Sequence, residues 1–155
     1  MDETSPLLQQ AEREAFLASM FQQHGDWLNA RELWVLAFLL YEQLGVKDRM
    51  GEAWANLGLV CERLGETEDA FQYIESALTV HRETGNIAGQ AMALHQLGMF
   101  YRHRGENGRA LDCLQQSLQL FRSIQDDRGV ATTLGNMAAL YQAQGDLARA
   151  ESYYA

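Results

Sequence analysis

Proline is all but missing from this chain: Pro6 is the only one in 155 residues. No later segment is therefore barred from helix by a locked φ or a lost N–H. Long apolar runs are missing too. The densest, Leu33 to Tyr41, has nine apolar residues in a row with Arg31, Glu32 and Glu42 at its flanks, far short of the roughly twenty that cross a bilayer as a helix. No membrane insertion is expected. The first ten residues, Met1 to Gln10, carry Asp2 and Glu3 and have neither a basic region nor a long apolar stretch, so they do not read as a secretory signal. Cysteine is scarce. Cys61 and Cys113 fall on apolar stripes of different segments, where two reduced thiols used as small core residues are expected rather than a disulfide or a metal site. A cytoplasmic setting is the default for such usage. Positive charge is also in short supply: twelve basic residues, eleven of them Arg, stand against twenty-one acidic ones for a formal net charge of −9. Nucleic acid is excluded as the expected partner.

Chemistry-bearing patterns are likewise absent. His24, His81, His95 and His103 form no HExxH pair, and no Cys/His spacing matches a zinc site. His95 and His103 are eight residues apart, about 12 Å along a helix and too far for one metal ion. Glycine clusters sit where helices start or end, not in a phosphate-cradling loop. No catalytic residue, metal or cofactor is expected.

What the chain does have is a repeat. Shifted by forty residues, it overlays on itself: Gly25, Gly65, Gly105 and Gly145 share one register, preceded four residues earlier by Phe21, Cys61, Tyr101 and Tyr141 and followed five residues later by Ala30, Ala70, Ala110 and Ala150. Self-similarity of this length marks stacked helical hairpins that cannot bury an apolar face singly. In Glu52–Leu64, the residues Ala53, Trp54, Leu57, Gly58 and Cys61 recur at helical spacing. Gly65 provides a residue tolerant of a left-handed helix end. Thr67 then opens a second helix with the stripe Ala70, Phe71, Ile74, Ala77, Leu78 and His81, and Gly85-Asn86 closes the hairpin. Gly58 and Gly98, with the alanines of the second helices, are expected to let helix backbones approach closely.

The order of large residue, Leu-Gly, aromatic, Gly and Ala, as in Leu94, Leu97-Gly98, Tyr101, Gly105 and Ala110, resembles the tetratricopeptide repeat. Its forty-residue period is similar to the subclass found in spindle-orientation adaptors, kinesin light chains and bacterial modular regulators. The resemblance implies an all-α, right-handed α-solenoid of antiparallel helix pairs, here about 3.5 hairpins: residues 6–45 as a divergent first one, then 46–85, 86–125 and a truncated 126–155. In the first, Ala18 stands where the second and third hairpins carry Gly58 and Gly98, and Glu14 stands at the large-residue position. The family implies a concave groove that binds extended or helical peptides, and no chemistry. Chaperone-binding members clamp a C-terminal carboxylate with Lys and Asn, whose places here hold Ala15 and Ser19, so that mode is not expected.

Projected onto that fold, the candidate peptide-binding groove takes Asn56, Gln96 and Asn136 as an amide ladder, with Leu59, Arg63, Met92, His95, Met99, Arg102 and His103 nearby. Its Met, Leu, His and Arg suit an apolar peptide carrying acidic residues. A second candidate is an apolar patch. Val35, Leu36 and Leu39 share a register with Glu75, Ser76 and Thr79 and with Gln115, Gln116 and Gln119, so an apolar set there implies a covered surface. The expectation is that the N-terminal segment, with Pro6, Leu7 and Leu8, folds over it as a cap. The other reading is a docking or dimerisation surface. The chain stops at Ala155 inside an expected helix bearing Tyr153 and Tyr154, with no polar cap, so a fragment of a longer protein is expected.

Three functions compete. The leading one is a non-catalytic protein–protein interaction module or scaffold binding a peptide or partner helix in the groove. The second is a regulatory or sensory segment of a larger signalling protein. The third is self-assembly into a homo-oligomer through the patch and the open Tyr153/Tyr154 end.

Overall fold

Helix dominates because nothing in the sequence opposes it between the glycines. The computed structural model describes residues 5–145 and Arg149. Among them are seven helices: α1 (Pro6–Gln23), α2 (Trp27–Leu44), α3 (Lys47–Arg63), α4 (Thr67–Thr84), α5 (Ile87–His103), α6 (Asn107–Ser123) and α7 (Asp127–Ala143). The contacts divide the chain into two compact units, Met1–Gly85 with α1 to α4 and Asn86–Ala155 with α5 to α7.

Turns within hairpins follow one recipe. Gly25, Gly65 and Gly105 adopt φ of 77°, 78° and 76°, a left-handed geometry that costs a Cβ-bearing residue energy. The amide after each glycine then reaches the carbonyl five residues back: Asp26 N–H to Phe21 O, Glu66 N–H to Cys61 O and Glu106 N–H to Tyr101 O, each at 2.9 Å. This closure satisfies carbonyls that a helix end leaves bare. Helix starts are less uniform. Asp26, Asn86 and Asp126 cap α2, α5 and α7 with side-chain oxygens, whereas α4 starts after Glu66 with no side-chain cap. Thr67 is thus the first helical residue and not the cap that its hydroxyl suggests. Helix α3 begins at Lys47, about a turn ahead of the Glu52–Leu64 stripe, where the left-handed Gly45 (φ 69°) has just turned the chain.

In the first unit α1 packs on α2, α2 on α3, and α3 on α4. Gly58 is where α3 crosses α4: a Cβ built there would lie 2.5 Å from Ile74 Cγ1. Phe38, Trp54 and Tyr73 form a tilted aromatic series, with ring centroids 4.1 and 5.2 Å apart, joining α2, α3 and α4. In the second unit α5 packs on α6 and α6 on α7. Gly98 repeats the crossing against Leu114, whose Cγ would lie 2.9 Å from an added Cβ. Ser117, fully buried, donates to Ala91 O at 2.7 Å.

One expectation is overturned. Pro6, Leu7 and Leu8 do not fold back over α2; they are the first turn of α1, and Leu8 packs into the core of its own unit. Proline suits that position, since the first helical N–H has no partner to lose. Val35 is partly buried against the core, but Leu36 and Leu39 stay 49% and 51% exposed.

Candidate functional site

The second unit holds a groove of about 300 Å³ lined by Met92, His95 and Gln96 of α5, Phe121 of α6, Asp126, and Arg128, Gly129 and Thr132 of α7. Gly129 lets α7 approach the Phe121 ring closely, since an added Cβ would lie 2.4 Å from it. Met92 is 56% exposed along its wall. The Asp126 carboxylate accepts from Gly129 N–H at 2.9 Å, so it serves the start of α7, and Arg128 is the cation at the rim.

His95 is committed to structure. Its Nδ1 lies 3.2 Å from Thr133 Oγ1 and its Nε2 lies 3.1 Å from Asn136 Nδ2. An amide nitrogen only donates, so Nε2 accepts from Asn136 and the neutral ring donates through Nδ1 to Thr133. Burial holds the His95 pKa below its usual value, which favours that neutral form. The ring thereby ties α5 to α7, and Asn136 spends its donor inside the protein.

The amide ladder is therefore uneven. Gln96 lines the groove, Asn136 serves His95, and Asn56 donates to the carbonyl of Glu52 on its own helix at 3.0 Å. Met99 and Arg102 on α5 are partly buried and His103 is exposed. In the first unit Leu59 is partly buried, and the Arg63 guanidinium lies 5.7 Å from the Trp27 ring centroid, a cation–π contact. Asn56 joins Glu12, Phe16, Ser19 and Arg49 around a polar hollow of about 470 Å³ between α1, α2 and α3. There Arg49 bridges Glu52 at 3.0 Å and Glu12 at 3.5 Å. Cys61 is buried, and burial, reinforced by Glu66, pushes its thiol up to about 11, so it stays protonated and a poor nucleophile.

Projection from the repeat did not reach Phe121, Arg128 or Thr133. Thr133 did leave a trace: it stands at a register that holds Ala53 and Ala93 in the earlier hairpins, and a buried hydroxyl at an alanine position needs a partner. Phe121 stands at the register of Tyr41 and His81, all three buried; nothing in the sequence marks it as a groove wall. Among the apolar-patch residues, Val35 and Leu36 line a second hollow, between α2 and α4. Tyr153 and Tyr154 lie outside the described residues. Among the described residues no cluster of three or more His, Cys, Asp or Glu is arranged to hold a metal ion, and no helix is long and apolar enough to cross a membrane.

The family model described as tetratricopeptide repeat matches residues 10–83 and 89–155. No curated protein matches the sequence. Several solved structures share the fold. BtubC (BKLC) from P. vanneervenii is 23% identical, with a TM-score of 0.81 over 95% of this chain and 60% of that one. Aspartyl phosphate phosphatase F from Bacillus subtilis is 13% identical, with a TM-score of 0.79 over 99% of this chain and 49% of that one. The apo form of RapI is 15% identical, with a TM-score of 0.88 over 98% of this chain and 42% of that one. Identities this low carry the fold alone, the all-α class of repeated helical hairpins. The chain spans three-fifths of the length of BtubC and less than half of the other two.

Proposed function

The chain belongs to the tetratricopeptide repeat family, and from that premise we propose that it is a non-catalytic interaction module taking an apolar peptide segment with an acidic residue into the groove between α5 and α7. The groove of about 300 Å³, with Met92 more than half exposed on its wall, carries this reading. Methionine is unbranched and polarizable, so it adapts to varied apolar side chains. The Gln96 amide offers both a donor and an acceptor to an extended backbone, and Arg128 offers a planar fork to a carboxylate. Met99, Arg102 and His103 extend the same helix face as secondary contacts, and Asn56, Leu59 and Arg63 on α3 are the register counterparts of Gln96, Met99 and His103. Asn136 and His95 act by shaping the groove through their mutual bond. Protonated Cys61 suits the reducing, cytoplasmic setting that belongs to this proposal.

The test is a panel of immobilised peptides that pair Leu, Met or Phe with Asp or Glu at varied spacing, followed by fluorescence anisotropy on the peptides retained. Met92→Glu and Arg128→Glu each weaken the retained peptides about tenfold or more, the loss of about 1.4 kcal/mol, while the melting curve stays where it was. Retention of no peptide, or equal affinity in both variants, removes the proposal.

A second reading, a regulatory segment of a larger signalling protein, is supported by one observation: the chain spans 49% of an aspartyl phosphate phosphatase and 42% of RapI. Sequencing the intact gene past Ala155 decides it, since an adjoining effector domain is what this reading requires.

A further inference from the structure

The outer face of α2 differs in kind from the outer faces of the other second helices. Leu28, Val35, Leu36 and Leu39 occupy registers that in α4 hold Glu68, Glu75, Ser76 and Thr79, and in α6 hold Gly108, Gln115, Gln116 and Gln119. Leu28, Leu36 and Leu39 are 59%, 49% and 51% exposed. Their spacing places them along one stripe about 16 Å long. Single exposed leucines are ordinary, but a stripe that the sister helices fill with polar residues or glycine is apolar surface the repeat does not require.

Beside this stripe lies a hollow of about 550 Å³ between α2 and α4, where Val35, Leu36 and Tyr73 supply the apolar walls. Its charged lining is three carboxylates, Glu32, Glu66 and Asp69, and one cation, Arg31. Arg31 is already held by Glu66; that contact raises the arginine pKa and lowers the carboxylate's. Glu32 and Asp69 are the surplus. The same sign prevails around them: residues 1–80 carry fourteen acidic and five basic side chains, whereas residues 81–155 carry seven of each.

We infer that the outer face of α2, with the hollow beside it, docks a cationic amphipathic helix whose apolar stripe lies along Leu28, Leu36 and Leu39 and whose Lys or Arg flank meets Glu32 and Asp69. Charge decides the choice of occupant. A second copy pairing through the same face would bring this net-negative surface against another like it, and like charges in apposition across an interface are costly. A basic helix meets the same carboxylates with opposite sign. Such a contact associates quickly at low salt and weakens as salt screens it. The surface shares no residue with the α5/α7 groove.

The probe is a labelled synthetic Leu/Lys helix of about eighteen residues, some five turns, with its leucines at helical spacing, read by fluorescence anisotropy against the whole chain. Leu36→Gln with Leu39→Gln installs the residues α6 carries at these registers and weakens binding about tenfold or more without changing the melting curve. Glu32→Lys weakens it too and reduces the salt dependence, while Met92→Glu in the groove leaves it unchanged. A peptide with Glu in place of Lys fails to bind. The inference is overturned by equal binding to the double-Gln chain, by equal binding of the Glu peptide, or by sedimentation in which the native chain self-associates and the double-Gln chain does not. That last result assigns the face to a second copy.

Discussion

The first and second hairpins meet the same helix crossing with opposite choices. In the second, Gly58 gives up its side chain so that Ile74 can press against the α3 backbone. In the first, the matching pair is Ala18 and Trp34, both buried, with the Trp34 indole N–H donating to Gln22 Oε1 at 3.0 Å. The third hairpin follows the second, with Gly98 and Leu114. Ala18 and Trp34 belong to one buried cluster, whereas a Cβ at Gly58 or Gly98 would fall within 3 Å of the branched side chain facing it. The first hairpin thus departs from the repeat pattern at both facing positions together. The lesson is that a register position has meaning only together with the residue that faces it.

Adding a methyl at the crossing breaks the comparison most directly. Gly58→Ala is expected to cost about 1–3 kcal/mol through overpacking against Ile74, even though alanine favours helix by about 1 kcal/mol. Ala18→Gly, the reverse exchange, costs about 1 kcal/mol from propensity alone. Urea melts of the two variants check both numbers. Equal stability of Gly58→Ala and the native chain would mean that Ile74 gives way freely and the two solutions are interchangeable.

Next in size is a pH effect, which sharpens the contrast at another shared register. His81 is buried where the first hairpin has Tyr41 and the third has Phe121. Burial is the largest influence on His81 and lowers its pKa, against the opposing pull of Asp48 and Glu52. His95 is lowered by burial as well. For both, the unfolded state binds the proton first as pH falls, so their stabilisation is complete above the unfolded value of about 6.5 and is lost as pH drops through the folded value. The slope is at most about 1.4 kcal/mol per pH unit for each histidine. Denaturant melts between neutral and mildly acidic pH should show it, and His81→Phe, which installs the residue of the third hairpin, should flatten its share. An unchanged slope would mean that His81 binds its proton equally in the folded and the unfolded chain.

The smallest effect concerns the turns between hairpins. Gly45 and Gly85 take φ of 69° and 70°, but the same register before α7 holds Gln125 at φ 57°. A residue with a Cβ is strained there, so Gln125→Gly is expected to stabilise the second unit by a few tenths to about 1 kcal/mol despite the entropy glycine adds to the unfolded chain. A lower melting temperature would mean that the Gln125 side chain makes a compensating contact.

Much of the fold was legible in the sequence. The left-handed glycines, the alanine registers and the stripe through Ala70, Ile74, Ala77, Leu78 and His81 follow from backbone sterics and helical period, both local to the chain. The exposed leucines of α2 were legible too, by contrast with their polar sister positions, but not the absence of a cover: Pro6 to Leu8 were expected to fold over them and are instead the first turn of α1. The groove was only half legible. Met92 and Gln96 line it, yet the tie from His95 to Thr133 and Asn136 bridges two helices some forty residues apart in sequence.

What the sequence by itself determined is the repeat: where each helix ends, which stripe it buries and which residues share a register, because these depend on interactions within a turn or two. Only the tertiary structure decided which polar groups remain available to a partner. Asn136, Asn56 and Gln96 are chemically alike and one register apart, and their different uses depend on which donor or acceptor the neighbouring helix brings within about 3 Å.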